Sequence, residues 1–299
     1  MCAAAATLLT AGGAGQGEQS IYVTVEDHGR LVSGLESKDF ELLEDDRPRP
    51  FRLEPAERPA SIAVLVENAQ DSRALFAREI RWALRGFGEA ASGDHWYALA
   101  SFAHTLSIDV DFTRQRARIA SGYDSLAEPL WNDIDLWDAM YEMLDRLARL
   151  PGRRILLVVA SGADTLSAHS RADVRGLLDR TTIVVFACGL GAELRNRWEP
   201  YWSPAQQLAA TERETALRSL ASASGGASWF PAFETAFADV GREIAERIDH
   251  QYRLVYVPDV RPDGRFHEVK VRAYRTDASG RRSRLTVSAK SGWRWPRTT

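Results

Sequence analysis

Acidic side chains recur in the stretches that connect the regular elements expected in the middle of this sequence. Oxygen-rich sites of this kind hold hard cations, and a loose calcium site takes roughly 6–8 oxygen ligands. The alternative is a solvated rim, because the helix dipole stabilises carboxylates at helix starts. That alternative applies most directly to Asp135 and Asp138, which stand at a predicted helix start. The full set is Glu67, Asp71, Asp133, Asp135, Asp138 and Asp164.

Aromatic side chains are concentrated in the same connecting stretches. Tryptophan and tyrosine are enriched among the residues that dominate protein interfaces, so an aromatic binding surface is one interpretation. The other interpretation is that these rings cap the predicted sheet and fill its core. Three of them fall within Gly189–Gln207, which we predict to be a long connection. The residues are Trp131, Trp137, Trp198, Tyr201 and Trp202.

Two further patterns would belong to an enzyme. Gly189-Leu190-Gly191 follows a predicted strand as a dinucleotide loop does, but Leu194 stands where the third glycine belongs. Ser161, Asp164 and His169 would supply a nucleophile, an acid and a base, but Ser161 lacks the G-x-S-x-G context. A hydrolase or a nucleotide-binding enzyme is therefore an alternative, while our expectation is that the chain is not an enzyme.

The elements that must position these residues alternate between residues 60 and 248. Three unbroken apolar runs are typical of strands buried on both faces, and amphipathic helical segments lie between them. This pattern predicts the α/β class, with a doubly wound, mostly parallel, Rossmann-like sheet and an antiparallel edge strand over Leu106–Val110. Ligands bind such sheets at the carboxyl ends of the strands, so we expect a site around Glu67–Asp71. The runs are Ile62–Val66, Ile155–Val159 and Ile183–Ala187.

The stretches on either side of this region alternate apolar and polar residues as half-buried strands do. The first is too short to bury a core alone and ends in a proline-rich boundary, so it needs a partner. We therefore predict that the two stretches are halves of a small β-sandwich, with the α/β domain inserted between them. The predicted organisation is a leader over 1–20, a first half over 21–57, the α/β domain over 60–248 and a second half over 250–296.

Composition and targeting signals narrow the class of protein. The chain of 299 residues has a net charge of −3, which gives no indication of nucleic-acid binding. No stretch approaches the ~18 apolar residues of a membrane span. The leader has small residues like a clipped export signal but no basic start, so we expect a periplasmic, secreted or envelope-associated protein, with a cytoplasmic one as the alternative. Cys2 and Cys188 allow neither a disulfide framework nor a zinc site.

Motifs on both flanks carry a resemblance to a known family. The first is V-x-V-E-D-x-x-G-R-L-V-x-G-L-x-x-x-D-F-E-L-L-E-D over Val23–Asp45. The others are Y-R-L-V-Y-V-P over Tyr252–Pro258 and F-H-E-V-K-V over Phe266–Val271. With the parallel-sheet domain between them, the chain resembles the von Willebrand factor type A-related proteins abundant in acidobacteria. The resemblance covers nearly the whole chain after the leader, and it implies a von Willebrand A fold for the central domain.

The resemblance also implies a metal-ion-dependent adhesion site, and the sequence departs from its pattern. Many von Willebrand A domains hold Mg²⁺ with D-x-S-x-S, a Thr and an Asp on three loops, and leave one position for an acidic residue of the partner. Here no position keeps its residue type, and two have no side-chain oxygen. We expect a degenerate site without metal or other cofactor, with a remodelled carboxylate site for Mg²⁺ or Ca²⁺ as the alternative. The positions are Glu67, Ala69, Asp71, Ile134 and Ser161.

These observations favour a non-enzymatic interaction or adhesion module that binds a protein partner without a metal. The alternatives are metal-dependent adhesion through the remaining carboxylates, an enzyme that uses the same crevice, and a scaffolding subunit that makes its contacts through the sandwich edges. The expected binding face comprises Glu67, Asp71, Trp131, Asp133, Asp135, Trp137, Asp164, Trp198 and Trp202.

Overall fold

The structure, a computed structural model, describes residues 17–258, 263–277 and 280–295. Most of the predicted leader, including Cys2, lies outside these residues, as do parts of the predicted second sandwich half. A short 3₁₀ helix, Ser37–Asp39, interrupts the first series of strands. These strands are β1 (Gln19–Asp27), β2 (Arg30–Leu31), β3 (Phe40–Glu44), β4 (Arg47–Pro48) and β5 (Phe51–Pro55).

The middle of the chain alternates strands with helices. Its strands are β6 (Ser61–Glu67), β7 (Trp96–Phe102), β8 (Leu106–Thr113), β9 (Arg154–Ala160), β10 (Val184–Gly189) and β11 (Ser228–Trp229). Its helices are α1 (Gln70–Ala90), α2 (Ala117–Asp124), α3 (Leu136–Ala148), α4 (Arg171–Leu178), α5 (Ala192–Trp198), α6 (Pro204–Ser224) and α7 (Ala236–Asp249).

The prediction of a long connection over Gly189–Gln207 is wrong. This stretch contains α5, a 3₁₀ helix over Glu199–Tyr201 and the first turn of α6. The start of α6 has a local cause, because Ser203 Oγ accepts from the backbone N–H of Gln206 while the Gln206 side chain accepts from Ser203 N–H. A capping box followed by proline at the first helical position fixes a helix start.

The six middle strands form one sheet in the order β11-β10-β9-β6-β7-β8. All neighbouring strands are parallel except β7 and β8, which pair antiparallel. Successive strands are added outward from β6 on one side and from β9 on the other, so the order reverses between these two strands. The predicted α/β class, the mostly parallel sheet and the antiparallel edge strand are thereby confirmed. The carboxyl ends of β6 and β9 flank the switch point, where such sheets bind ligands.

Helices cover both faces of this sheet. Val64 of β6 belongs to one buried cluster and Leu65 to the other, which explains why the strand is apolar from Ile62 to Val66. Helices α1, α2 and α7 contribute to the first cluster, and α3, α4 and α6 contribute to the second. Helices α1 and α7 cross so closely that a Cβ on Gly241 would lie 2.2 Å from Ala83 O. The switch point therefore stands on a tightly packed frame.

Strands from the two ends of the chain pair with one another. The last strands are β12 (Tyr252–Tyr256), β13 (Phe266–Thr276), β14 (Arg282–Arg284), β15 (Thr286–Ala289) and β16 (Gly292–Arg294). One end sheet has the order β15-β1-β12-β5 with β2 beside β1, and the other has the order β14-β13-β3-β4 with β16 beside β13. Val23, Leu42 and Trp293 belong to a buried cluster that both sheets share.

A buried arginine joins the end sheets to the amino edge of the central sheet. Arg153 precedes β9 and is 1% exposed. Its guanidinium donates to Ile248 O at 2.5 Å and to Gln251 Oε1 at 2.6 Å, and it lies over the Tyr22 ring. Burial lowers the pKa of Arg153 to about 10, so the side chain is still charged at neutral pH. Among the described residues, none of the helices combines the length and the apolar character needed to cross a membrane.

Candidate functional site

Glu67 ends β6 at the switch point, and its carboxylate is fully buried. Ser72 Oγ donates to Oε1, and Ser161 donates to Oε2 from both its backbone N and its Oγ, each at 2.8 Å. Burial raises the pKa of Glu67, and these hydrogen bonds oppose that rise. Because Ser72 lies on α1 and Ser161 follows β9, the carboxylate ties three segments of the carboxyl edge together.

The other positions at which the family resemblance would place metal ligands have different roles. Ala69 is buried immediately before α1. Ile134 N donates to Thr165 Oγ1 at 2.8 Å, and Thr165 N donates to Ile134 O at 2.7 Å, so these residues join two loops. Asp71 is exposed in the first turn of α1. Across the described ranges, no group of three or more His, Cys, Asp or Glu side chains is arranged to hold a metal ion.

Two of the predicted carboxylates are paired with histidines. Asp135 is buried before α3, and its Oδ2 lies 2.8 Å from His104 Nδ1. Asp138 accepts from the backbone N–H groups of Ala168 and His169 and lies 2.7 Å from His169 Nδ1. Partial burial tends to raise the pKa of Asp138, but these hydrogen bonds outweigh it and lower the pKa. Asp138 thus fastens the loop after β9 to α3.

The three residues of the alternative hydrolase set bond to other groups. Ser161 Oγ donates to Glu67, and Asp164 Oδ1 accepts from Ser167 Oγ at 2.5 Å. His169 Nδ1 faces an aspartate of α3, and its ring stacks on a tyrosine of the same helix. Among the hydrogen bonds of the described residues, none joins the three, so the structure does not bring them together as a catalytic set.

A groove of about 380 Å³ opens at the carboxyl edge beside Ser161. Side chains from α1, α5 and α6 and from the loops before α3 and after β9 line it. Arg195 and Glu214 pair across 2.5 Å, whereas Asp71 and Arg213 line the groove without such a partner among the described residues. Its large apolar lining residues are Leu75, Phe76, Ile134, Leu190, Leu194 and Trp202.

Large apolar side chains stand exposed around this groove. Trp131 is 63% exposed, and its carbonyl accepts from Gln70 N–H at 2.9 Å, which places it beside the start of α1. Trp198 and Tyr201 have ring centroids 6.0 Å apart, and Tyr201 is 81% exposed. Three exposed leucines belong to the same edge, namely Leu75, Leu130 and Leu166.

The structure divides the residues predicted for the binding face by their exposure. Exposed residues are Asp71, Trp131, Asp164 and Trp198, and half-buried ones are Asp133, Trp137 and Trp202. Glu67 and Asp135 are buried, so a partner at the surface cannot contact their carboxylates. Leu75 and Arg213 also line the groove, although no motif marks them. Their position follows from how α1 and α6 pack on opposite faces of the sheet. A pattern along the chain does not encode that packing.

No protein-family model matches this sequence, and no curated protein matches it either. Several solved structures are similar at low sequence identity. A von Willebrand factor type A protein from Catenulispora acidiphila gives a TM-score of 0.47 at 10% identity, over 94% of this chain and 75% of that one.

Two further solved structures have the same score. Proximal thread matrix protein 1 of the mussel byssus gives 0.47 at 9% identity over 66% of this chain and 49% of that one, so this chain spans about half its length. An aerotolerance-related membrane protein from Bacteroides fragilis gives 0.47 at 9% identity over 63% and 99% of the two chains. All three TM-scores lie below 0.5.

Proposed function

We propose that this chain is a non-enzymatic interaction module of the von Willebrand A type that binds a protein partner at the carboxyl edge of its central sheet. The observation that supports the proposal is the set of large apolar side chains exposed around the groove beside the switch point. Contiguous apolar exposure is typical of interaction sites, and tryptophan and tyrosine often dominate their binding energy. The loops that carry these residues are hydrogen-bonded to a packed frame, so binding requires little further ordering.

The proposed binding needs no metal ion. A magnesium site would need the oxygens of Glu67 as ligands, but Ser72 and Ser161 already donate to both of them. Ala69 and Ile134 supply no side-chain oxygen. These residues therefore do not fit an octahedral oxygen site. In the proposed degenerate site, the bonds between Glu67 and Ser161 hold the ends of β6 and β9 together directly.

The remaining parts of the proposal concern chemistry, scaffold and location. The separate partners of Ser161, Asp164 and His169 support a module without catalytic activity. The buried cluster shared by the two end sheets supports a β-sandwich that carries the α/β domain. The composition of the leader supports export to the periplasm, the envelope or the medium, where an adhesion-type module would meet its partner.

Affinity capture from the native envelope fraction tests the proposed function. Three immobilised forms are compared: wild type, Trp131→Ala/Trp198→Ala and Ile108→Ala. Ile108 is an exposed apolar residue of β8, so it controls for the loss of apolar surface outside the carboxyl edge. We expect at least one protein to be retained by the wild type and the control and lost by the double variant, with EDTA present as well as with added Mg²⁺.

The same experiment distinguishes the alternatives. Identical capture by all three forms would show that the carboxyl edge is not the binding face. Capture that disappears in EDTA would instead support metal-dependent adhesion through the remaining carboxylates.

A further inference from the structure

We propose that the partner presents a basic segment, with lysine or arginine next to an apolar residue, to one corner of the carboxyl edge. This corner, called the acidic corner below, consists of Asp71 and Leu75 of α1 and Leu130, Trp131 and Asp133 of the following loop. The inference rests on the proposed function, because it assigns a class of partner to the same face.

Two hydrogen bonds hold the loop of the acidic corner against α1. Gln70 N–H donates to Trp131 O at 2.9 Å, and Asp71 N–H donates to Asn132 Oδ1 at 2.8 Å. The loop backbone therefore runs beside the first turn of α1. As a result, the side chains of Asp71, Trp131 and Asp133 belong to one continuous part of the surface.

The carboxylates of the acidic corner have no counter-ion within the described residues. Neither Asp71 nor Asp133 takes part in an ion pair there. Residues 125–135 contain no lysine or arginine at all. The first cation along α1, Arg73, is directed elsewhere, because its guanidinium lies 4.6 Å from the centroid of the Tyr123 ring on α2. A basic partner would supply the missing charge.

The positive charge of the groove lies on its other side. Arg213 of α6 lines the same groove as Ser161. Its carbonyl oxygen lies so close to Gly162 that a Cβ added there would be 2.9 Å away. Its positive charge also acts on the Glu67 carboxylate and opposes the rise of its pKa caused by burial. The two sides of the carboxyl edge therefore carry opposite charges. Only the acidic corner is expected to prefer a basic segment.

The acidic corner also presents exposed apolar side chains. Leu75, Leu130 and Trp131 are all more than half exposed. A lysine or arginine satisfies both kinds of group, because its charged end bonds to carboxylates while its stem or guanidinium plane packs on leucine and indole. An acidic segment would be repelled, and a purely apolar one would remove water from the carboxylates without replacing their hydrogen bonds.

Selection from a displayed library of short random peptides tests this inference, with the full-length chain as the immobilised protein. Four forms are compared: wild type, Trp131→Ala, Asp71→Lys/Asp133→Lys and the control Asp111→Lys/Glu246→Lys. The control makes the same change in net charge at two exposed carboxylates outside the carboxyl edge, on β8 and near the end of α7. Binding of the enriched peptides is then measured at low and high salt.

We expect the wild type and the control to enrich peptides that place lysine or arginine beside leucine or an aromatic residue. The Asp71→Lys/Asp133→Lys variant should bind them at least about tenfold more weakly, and high salt should weaken binding to the wild type several-fold. Peptides that depend on Trp131 but are not basic, or that bind the charge-reversed variant equally well, would overturn this inference and leave the proposed function intact. If no enriched peptide depends on Trp131, the inference is also overturned, and the capture experiment decides the proposed function separately.

Discussion

The two edges of the central sheet differ in the exposure of their side chains. At the amino edge, buried charged and polar side chains bond to other groups of the chain. His95 Nδ1 accepts from Ala60 N–H at 3.0 Å, and His95 Nε2 lies 3.0 Å from an Asp249 carboxylate oxygen, while Arg153 bonds to the end of α7. At the carboxyl edge, the side chains of Leu130, Trp131 and Asp71 are exposed to solvent. The polar side chains of the amino edge named here bond within the chain, whereas exposed side chains of the carboxyl edge are accessible to another molecule.

The carboxyl edge itself has a locked centre and an open rim. The centre is Glu67, whose buried carboxylate accepts hydrogen bonds from Ser72 and Ser161. The rim consists of exposed residues such as Asp71 and Trp131. Under the proposed function, the centre contributes to stability and the rim to binding. Residues of the two groups should therefore respond differently to substitution.

The largest expected effect compares the two edges directly. Arg153→Ala removes two donors and a buried side chain, so we expect the free energy of unfolding to fall by about 3 kcal/mol. Trp131→Ala should change it by less than about 0.5 kcal/mol, because the indole is largely exposed. Chemical denaturation measures both values, with Arg118→Ala as an exposed arginine control. Similar losses for Arg153→Ala and Trp131→Ala would remove the contrast between the edges.

The second prediction separates the centre of the carboxyl edge from its rim. Glu67→Ala leaves Ser72 Oγ and two donors of Ser161 without their acceptor, and we expect a loss of about 2 kcal/mol. Asp71→Ala should cost no more than about 0.5 kcal/mol, because its carboxylate is exposed. Thermal and chemical unfolding in EDTA measure both. If Glu67 served as a metal ligand instead, its alanine variant would keep wild-type stability in EDTA.

The third prediction concerns a buried carboxylate of α1, one of whose oxygens has no hydrogen-bond partner among the described residues. Glu79 is 7% exposed, and its Oε2 has no hydrogen-bond partner in the described structure. Burial, with the charges of Glu193 and Glu234, raises the pKa of Glu79 to about 7. Because this pKa lies above that of the unfolded chain, ionisation destabilises the fold as the pH rises from about 4.5 and does so fully above about 7.

Glu79→Gln should therefore stabilise the protein by about 1–2 kcal/mol at alkaline pH and by almost nothing near pH 4. Denaturation midpoints across this pH range measure the difference. Glu89→Gln, an exposed position on the same helix, serves as the control. A gain that does not change with pH would mean that the charge of Glu79 is not the cause.

The smallest expected effect is that of divalent cations. Because the oxygens of Glu67 are already hydrogen-bonded, Mg²⁺, Ca²⁺ and Mn²⁺ should each move the melting temperature of the wild type by less than about 1 °C relative to EDTA. Differential scanning calorimetry measures the shift. A rise of several degrees with one of these ions, absent from Glu67→Ala, would establish metal binding at the centre of the carboxyl edge.

The fold was predictable from the sequence where one environment governs a whole segment. Strand β6 is apolar from Ile62 to Val66 because both of its faces are buried, and the same holds for β9 from Ile155 to Ala160. The helical stretch before α6 escaped prediction because its aromatic residues are exposed and show no apolar stripe. Its only local signal was the pair Ser203 and Gln206 around Pro204, which sets a helix start but not what precedes it.

Only the location of the site was predictable from the sequence, not which of its side chains are buried. The end of β6 had to lie at the switch point of a doubly wound sheet, and the loops that follow neighbouring strands had to gather there. The sequence alone also shows that the residue types expected of a von Willebrand A metal site are missing. Which carboxylates are buried was decided by the tertiary structure, since Ser161 reaches Glu67 from 94 residues away. Hydrogen-bond partners so distant along the chain leave no local pattern, so only the folded chain separates the locked centre from the open rim.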